Sequence, residues 1–225
     1  LPISGEDFGF QQGGCLYLAE TDDEMARHAG WLEKAGGFQL DTTLLDAAGV
    51  GRVLDRDDHP FKGGLYTPSD AQAEPRLAVP ALARHAETLG AVIREGCAVR
   101  AVLREGGRVT GVMTEQGAVK ADAVILAGGA WSRSFLENLG VALPQLGVRA
   151  SAMRTAPAPV VAEGAASLGA AAASLRRRAD GGYTVAKAGA ARFDLIPAAF
   201  THLRAFLPII RDRWGMLKIR AGAEF

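Results

Sequence analysis

The chain has 225 residues and a mass of 23.5 kDa, enough for one large domain or a domain and a half. Apolar residues make up 48% and charged residues 22%, a globular balance that excludes disorder as the main state. Lys+Arg and Asp+Glu number 25 each, so the basic excess of a nucleic-acid binder is absent, and two cysteines, Cys15 and Cys97, exclude a disulfide framework and a four-thiolate zinc site.

In chain order, Thr21 followed by Glu24 is a capping box that opens a helix over 21–36, with Met25, His28, Ala29 and Leu32 at helical spacing and Gly36-Gly37 as the stop. A second helix is expected over 42–54. Residues 55–76 hold three prolines, a glycine pair and several Asp and Ser, and read as an irregular loop. Residues 78–89 read as a helix with Val79, Leu82, Ala83, Ala86 and Leu89 on one stripe and Pro80 in the first turn. The period then falls to two. A short strand over 91–94 leads to a three-stranded meander: 98–104, then Val109, Gly111 and Met113, then Val119 and Ala121, turning at Gly106-Gly107 and Gln116-Gly117. The apolar run 123–126 reads as a strand buried on both faces. It enters Ala127-Gly128-Gly129-Ala130-Trp131-Ser132, and a short helix over 132–139 closes at Gly140. Residues 148–154 are expected as a strand. Residues 175–178 and 183–186 flank Asp180-Gly181-Gly182 as a hairpin. Residues 197–214 are expected as one helix, with Phe200, Leu203, Leu207 and Ile210 on one side and a kink at Pro208.

Several clusters bear on chemistry. Gly49-Val50-Gly51-Arg52-Val53-Leu54 approaches a dinucleotide fingerprint, but the third glycine and the preceding strand are missing, so it reads as a helix break. Ala127-Gly128-Gly129 is better placed, at the carboxyl end of the expected buried strand, where open α/β sheets bind ligands. Glycine there either lets main chain lie against a ligand or serves a turn that needs positive φ. Tyr66, Thr67, Ser69, Asp70 and Gln72 either face a ligand or serve the turns around Pro68 and Pro75. His28, His59, His85 and His202 are scattered without ligand spacing, and no G-x-S-x-G elbow occurs. In Arg176-Arg177-Arg178, strand alternation puts Arg176 and Arg178 on one side and Arg177 on the other. That side is either solvated or able to hold a carboxylate through a bidentate pair.

GGLYTPSDAQAEP, the helix after it, CAVRAV, GGRVTGVMTEQG and ADAVILAGGAWSR, followed by RRRADGGYTVA, resemble the FAD-dependent oxidoreductases of the D-amino-acid oxidase superfamily, in order and over most of the chain. The resemblance implies a glutathione-reductase-type FAD domain interleaved with a substrate domain on a mixed sheet, an α+β or α/β fold. The expected division is 1–76 and 141–225 to the substrate side and 77–140 to the FAD side. It implies FAD as cofactor, with the backbone at Ala98-Val99 by its adenine end and Ala127, Gly128, Gly129 and Trp131 along it. Arg178 and Tyr183 are the expected carboxylate and pocket contacts, with Arg176 the alternative. The implied activity is oxidation of the C–N bond of an amino acid or amine by hydride transfer to flavin, with a small-molecule substrate; the charge balance gives no expectation of nucleic acid, and no membrane span is expected.

The family's G-x-G-x-x-G unit and its glycine-rich end are not in this sequence, and Ala71 stands where family members often have Gly. The expectation is an internal piece of a longer enzyme, inactive alone, with an exposed apolar patch around 123–129; the alternative is a non-catalytic α+β module or a subunit of a heteromeric flavin oxidase. Residues 155–175, the longest weakly polar run, are too rich in Ala and Gly to span a bilayer and carry Glu163. The start, LPISGEDFGF, has no basic or apolar leader region, and the expectation is a cytoplasmic protein.

Overall fold

The structure, a computed structural model, describes residues 5–145, 147–187, 191–212, 214 and 217–221. Strands β1 (Gln11–Gln12) and β2 (Cys15–Ala19) precede helix α1 (Asp22–Ala35). The capping box forms as expected: Thr21 Oγ1 accepts from the Glu24 N–H and Glu24 Oε2 accepts from the Thr21 N–H, both at 3.3 Å.

The helix expected over 42–54 is divided. Thr43–Asp46 is strand β3, and only Ala47–Leu54 is helix α2. Asp46 makes the switch, since its Oδ1 accepts from the Gly49 N–H at 2.7 Å and caps the new helix. Gly49 and Gly51 are therefore buried inside α2 and are not a helix break. The region read as a loop, 55–76, contains strands β4 (Gly63–Thr67) and β5 (Ala71–Gln72). The glycines that suggested a turn are there for close packing. A Cβ on Gly64 would sit 2.8 Å from the Tyr17 carbonyl oxygen, and one on Gly63 would sit 2.7 Å from Met25 Sδ.

Helix α3 (Pro75–Thr88) begins at Pro75, ahead of the expected start. Its buried or half-buried positions are Ala78, Ala81, Ala83, His85 and Ala86, so of the expected stripe Ala83 and Ala86 turn inward while Val79, Leu82 and Leu89 are exposed. The face with the smallest side chains is the one that packs. Residues 91–94 form no strand: Val92 and Ile93 are exposed and have no partner strand among the described residues.

The meander forms as expected, in strands β6 (Val99–Glu105), β7 (Arg108–Thr114) and β8 (Gly117–Lys120). Residues 123–126 are neither strand nor buried; Ile125 is 92% exposed. An apolar run becomes a buried strand only when neighbours take up its backbone groups, and among the described residues none does. The apolar patch expected around 123–129 is thus present, with Val124 and Leu126 also exposed.

One 3₁₀ turn, Gly129–Trp131, runs into helix α4 (Ser132–Glu137). The strand expected over 148–154 is two: β9 (Val148–Arg149) and β10 (Ala152–Arg154), which join different sheets. Strands β11 (Ser167–Gly169), β12 (Ala173–Arg177) and β13 (Tyr183–Lys187) follow. The β12–β13 hairpin forms as expected; Arg178 N–H donates to Gly182 O at 2.8 Å and Gly181 N–H to Arg178 O at 3.0 Å. After β14 (Ala191–Leu195), the single kinked helix expected over 197–214 is two helices, α5 (Pro197–Thr201) and α6 (Leu203–Asp212), with Pro208 inside the second. The break falls at His202, whose carbonyl starts the α6 ladder by accepting from Ala205 and Phe206. Strand β15 (Leu217–Ala221) ends the described chain.

The chain divides into two compact units. The first comprises Leu1–Ala91 and Ala150–Ala190. It holds a seven-stranded sheet in the order β10-β13-β12-β11-β2-β4-β3, antiparallel except where β11 pairs with β2. One face of this mixed sheet carries the core: Leu16, Leu18 and Leu168 pack with Val50 and Leu54 of α2 and with Ala162 and Ala165. Leu16 and Val50 are fully buried. Burying two such side chains contributes about 1.5–3 kcal/mol each.

The second unit comprises Val92–Arg149 and Ala191–Phe225. It holds the meander and a three-stranded sheet in the order β15-β14-β9. Phe200, Leu203 and Ile210, three of the four side chains expected on one helical side, line an apolar cleft of about 180 Å³ with Phe193, Trp214 and Ile219.

Candidate functional site

Strand register in the first unit creates an arrangement invisible in linear order. Arg154 pairs with Thr184, Thr184 with Arg176, Arg176 with Ser167, Ser167 with Cys15, and Cys15 with Thr67. Paired residues share a face. A polar row therefore crosses six adjacent strands on the face opposite the Leu16–Leu168 core. The next row holds Tyr17, over half exposed, whose ring lies on Gly169: a Cβ there would sit 2.8 Å from Tyr17 Cδ1. Burial pushes the Cys15 thiol up, and the neighbouring Asp70 adds to the shift. The Cys15 charge is the main cause that raises Tyr17. At neutral pH both are held in their neutral, proton-bearing forms.

The residues of 63–75 that were candidates for a ligand mostly serve the fold. Tyr66 Oη donates to Gly164 O at 2.6 Å, and Thr67 shares a 2.8 Å hydroxyl bond with buried Thr42. Ser69 binds Asp41 through its N–H and its hydroxyl. Gln72 Nε2 donates to Arg177 O at 2.7 Å and to Gln11 at 3.0 Å.

The structure brings Arg178 and Tyr183 together, but as parts of the fold. Arg178 is 6% exposed. It donates to the Tyr183 and Thr155 carbonyls and, through Nε and Nη2, to Asp180. Tyr183 is buried, accepts from the Val161 N–H at 2.9 Å and donates to Pro159 O at 3.3 Å. Both side chains thus meet their needs inside the chain and knit the 155–161 segment to the hairpin. Arg176 is more open. Its Nη1 donates to Ala73 O at 3.0 Å and its Nη2 lies 3.4 Å from Glu74 Oε2, which leaves guanidinium donors to spare on the polar row. The hydrogen bonds from Arg178 and the Gly182 N–H hold Asp180 below the usual carboxylate range.

In the second unit, the Ala98 carbonyl accepts from Glu115 N–H at 3.1 Å, and Val99 pairs with Thr114 at the end of β6. Ala127-Gly128-Gly129 leads into the 3₁₀ turn, with Gly129 at φ 55° and nothing within 4 Å of where its Cβ would be. Main chain there is open to close approach by a flat ligand, and Trp131 beside it is 67% exposed. That geometry fits a flavin nucleotide lying against the backbone. Among the described residues, no group of three His, Cys, Asp or Glu could hold a metal, and no helix is long and apolar enough to cross a membrane.

The fold is that of FAD-dependent amino-acid oxidoreductases. It matches L-amino acid deaminase from Proteus myxofaciens, solved with anthranilate, at a TM-score of 0.86 and 26% identity, over 98% of this chain and 50% of that one. It also matches glycine oxidase from Bacillus cereus at a TM-score of 0.69 and 21% identity, over 93% of this chain and 59% of that one. The sequence places it further. The chain belongs to the DAO family, FAD dependent oxidoreductase, which matches residues 2–221, and FAD is the cofactor of that family. A curated relative, 4-methylaminobutanoate oxidase (formaldehyde-forming) from Paenarthrobacter nicotinovorans, is 34% identical over 155 residues, 63% of this chain and 17% of that enzyme. The chain thus spans about half the length of the solved deaminase and under a fifth of that oxidase.

The residues that sequence reading missed are Cys15, Tyr17, Ser167, Arg154 and Thr184. They come from strands far apart in the chain, and only pairing register unites them.

Proposed function

We propose that this chain carries the substrate-side sheet and part of the cofactor-side backbone of an FAD-dependent oxidoreductase acting on the C–N bond of an amino acid or amine. The observation that carries the reading is the polar row across six strands, set in a chain whose family match runs from residue 2 to 221.

The main chain at Ala98-Val99 would lie by the adenine end of FAD, and Ala127-Gly128-Gly129 with Trp131 along the ring system. When bound, FAD supplies the hydride-accepting chemistry. This chain's own residues bind and orient. Arg176 is the carboxylate contact, because its face is open and its donors are not all used. Arg178 and Tyr183 hold the hairpin that carries it. Cys15 and Tyr17, held in their neutral forms, add no negative charge of their own beside a carboxylate. If the amine binds unprotonated, no general base is required and the protein's rate contribution lies in positioning the carbon.

The test uses the product of the complete reading frame, purified with its flavin. Anaerobic addition of amino acids and N-methyl amines should bleach the flavin, and Arg176→Gln should raise the half-saturating concentration at least tenfold for carboxylate-bearing substrates. Bleaching only by alcohols or reduced nicotinamide would refute the reading. Equal weakening for amines without a carboxylate would remove Arg176 from the role.

A further inference from the structure

At the β10 end of the sheet a cleft of about 220 Å³ opens between the first turn of α3 and the tip of the β12–β13 hairpin. Its lining is charged: Arg76, Arg154 and Arg178 against Glu74 and Asp180, with Leu77 and Ala179 as the apolar wall. Both carboxylates are already engaged. Glu74 Oε1 accepts from the Ala179 N–H at 3.2 Å and Oε2 faces Arg176 at 3.4 Å. Asp180 accepts from the Gly182 N–H and from Arg154 and Arg178. Arg178 is buried and spoken for. The exposed Arg76 has no carboxylate partner among the described residues, and Arg154, half exposed, keeps donors beyond its single bond to Asp180.

We propose that this cleft binds a small organic monocarboxylate. Glu74 is held by Arg176 and Asp180 by Arg154 and Arg178, so Arg76 and Arg154 are the lining cations with guanidinium donors to spare for an anion. Two guanidinium groups at the mouth suit bidentate recognition of a carboxylate. Leu77 and Ala179 give an apolar surface that an organic acid can cover and an inorganic ion cannot. The volume equals roughly seven waters at ~30 Å³ each, the size of a short-chain or single-ring acid. Glu74 sets the geometry: its carboxylate binds the hairpin tip at Ala179 and turns away from the helix it precedes. This seat shares Arg154 with the polar row and borders Arg176 through Glu74, but it turns on Arg76 and does not require flavin, so its failure at Arg76 would leave the oxidoreductase reading in place.

Titration of sodium benzoate into the 225-residue chain at low ionic strength, followed by amide chemical shifts, tests it. Saturable shifts are expected at residues 74–77 and 178–180. Arg76→Gln and Arg154→Gln should each weaken binding at least tenfold, with Arg76→Lys between wild type and Gln. Should Arg154→Gln disturb folding, Arg76→Gln decides alone, since Arg76 is exposed and makes no ion pair among the described residues. Shifts absent or centred elsewhere, affinity unchanged in Arg76→Gln, or tighter binding of phosphate than of benzoate would each overturn the proposal.

Discussion

Replacing Arg178 with Met separates a structural arginine from a substrate-gripping one. The substitution keeps the apolar stem and removes the guanidinium. The carbonyls of Tyr183 and Thr155 then lose a charged donor. Hydrogen bonds to a charged group contribute about 1.5–3 kcal/mol each, and two at the lower end give about 3 kcal/mol. Asp180 faces water and is rehydrated, so it adds no figure. Since each 1.4 kcal/mol is tenfold, the opening equilibrium of the hairpin should rise about a hundredfold. The assay is amide hydrogen exchange on the β12–β13 hairpin and residues 155–161, in the wild type and the variant. Protection there should fall by about two decades, while amides of β6–β8, in the other unit, keep theirs. Unchanged hairpin protection in Arg178→Met would refute the structural assignment. The buried guanidinium would then have to be held there for something other than the fold.

Other substitutions probe the scaffold. Gly63→Ala should destabilise the first unit by about 1–3 kcal/mol, because its Cβ meets Leu45 O and the Met25 thioether; denaturant unfolding of that unit, followed by exchange, reads it. Leu16→Ala, at a fully buried core position, should cost about 2–5 kcal/mol in the same measurement. Asp46→Ala removes the α2 cap and should cost about 1 kcal/mol, with fraying confined to residues 47–50. For Asp180 the folded form holds its proton less readily than the unfolded chain. Its contribution is therefore present above the ordinary Asp value of about 3.9 and is lost as pH falls through the lower folded value. Hairpin protection should stay flat from pH 7 to 5 and fall below pH 4, and Asp180→Asn should abolish that acid-side step.

Local signals were legible where the chemistry is local. The Thr21–Glu24 cap, the two meander turns and the Asp180-Gly181-Gly182 hairpin each depend on residues within five positions of one another, and each formed. Glycine misled where its role is tertiary. Gly63-Gly64 has the composition of a turn, yet it lies in an interior strand because the Tyr17 backbone and Met25 leave no room for Cβ atoms. Thr43 and Asp46 fall inside the helix expected over 42–54, although Asp is a stronger start signal than an interior residue. The run 123–126 had the composition of a buried strand but lacks, among the described residues, the neighbours that would make it one.

The site was harder to read for a reason of the same kind. Arg176 and Arg178 stand two residues apart, and alternation assigns them to the same side, which makes them look interchangeable. Position relative to the sheet decides otherwise. Arg176 lies within β12, where its neighbours are the hydroxyls and thiol of four other strands. Arg178 lies just past the strand, where the hairpin's own carbonyls converge on it. One residue of drift from strand into turn converts an arginine that can meet a ligand into one that closes a loop. Arg154, 22 positions before Arg176, joins the row with it because β10 pairs with β13 in a register that sets Arg154 opposite Thr184. Exchanging the environments tests this: Arg176→Met should leave hairpin exchange within a factor of three of wild type, in contrast to the hundredfold change for Arg178→Met. Equal losses for the two would mean that the row is a structural seam and carries no ligand.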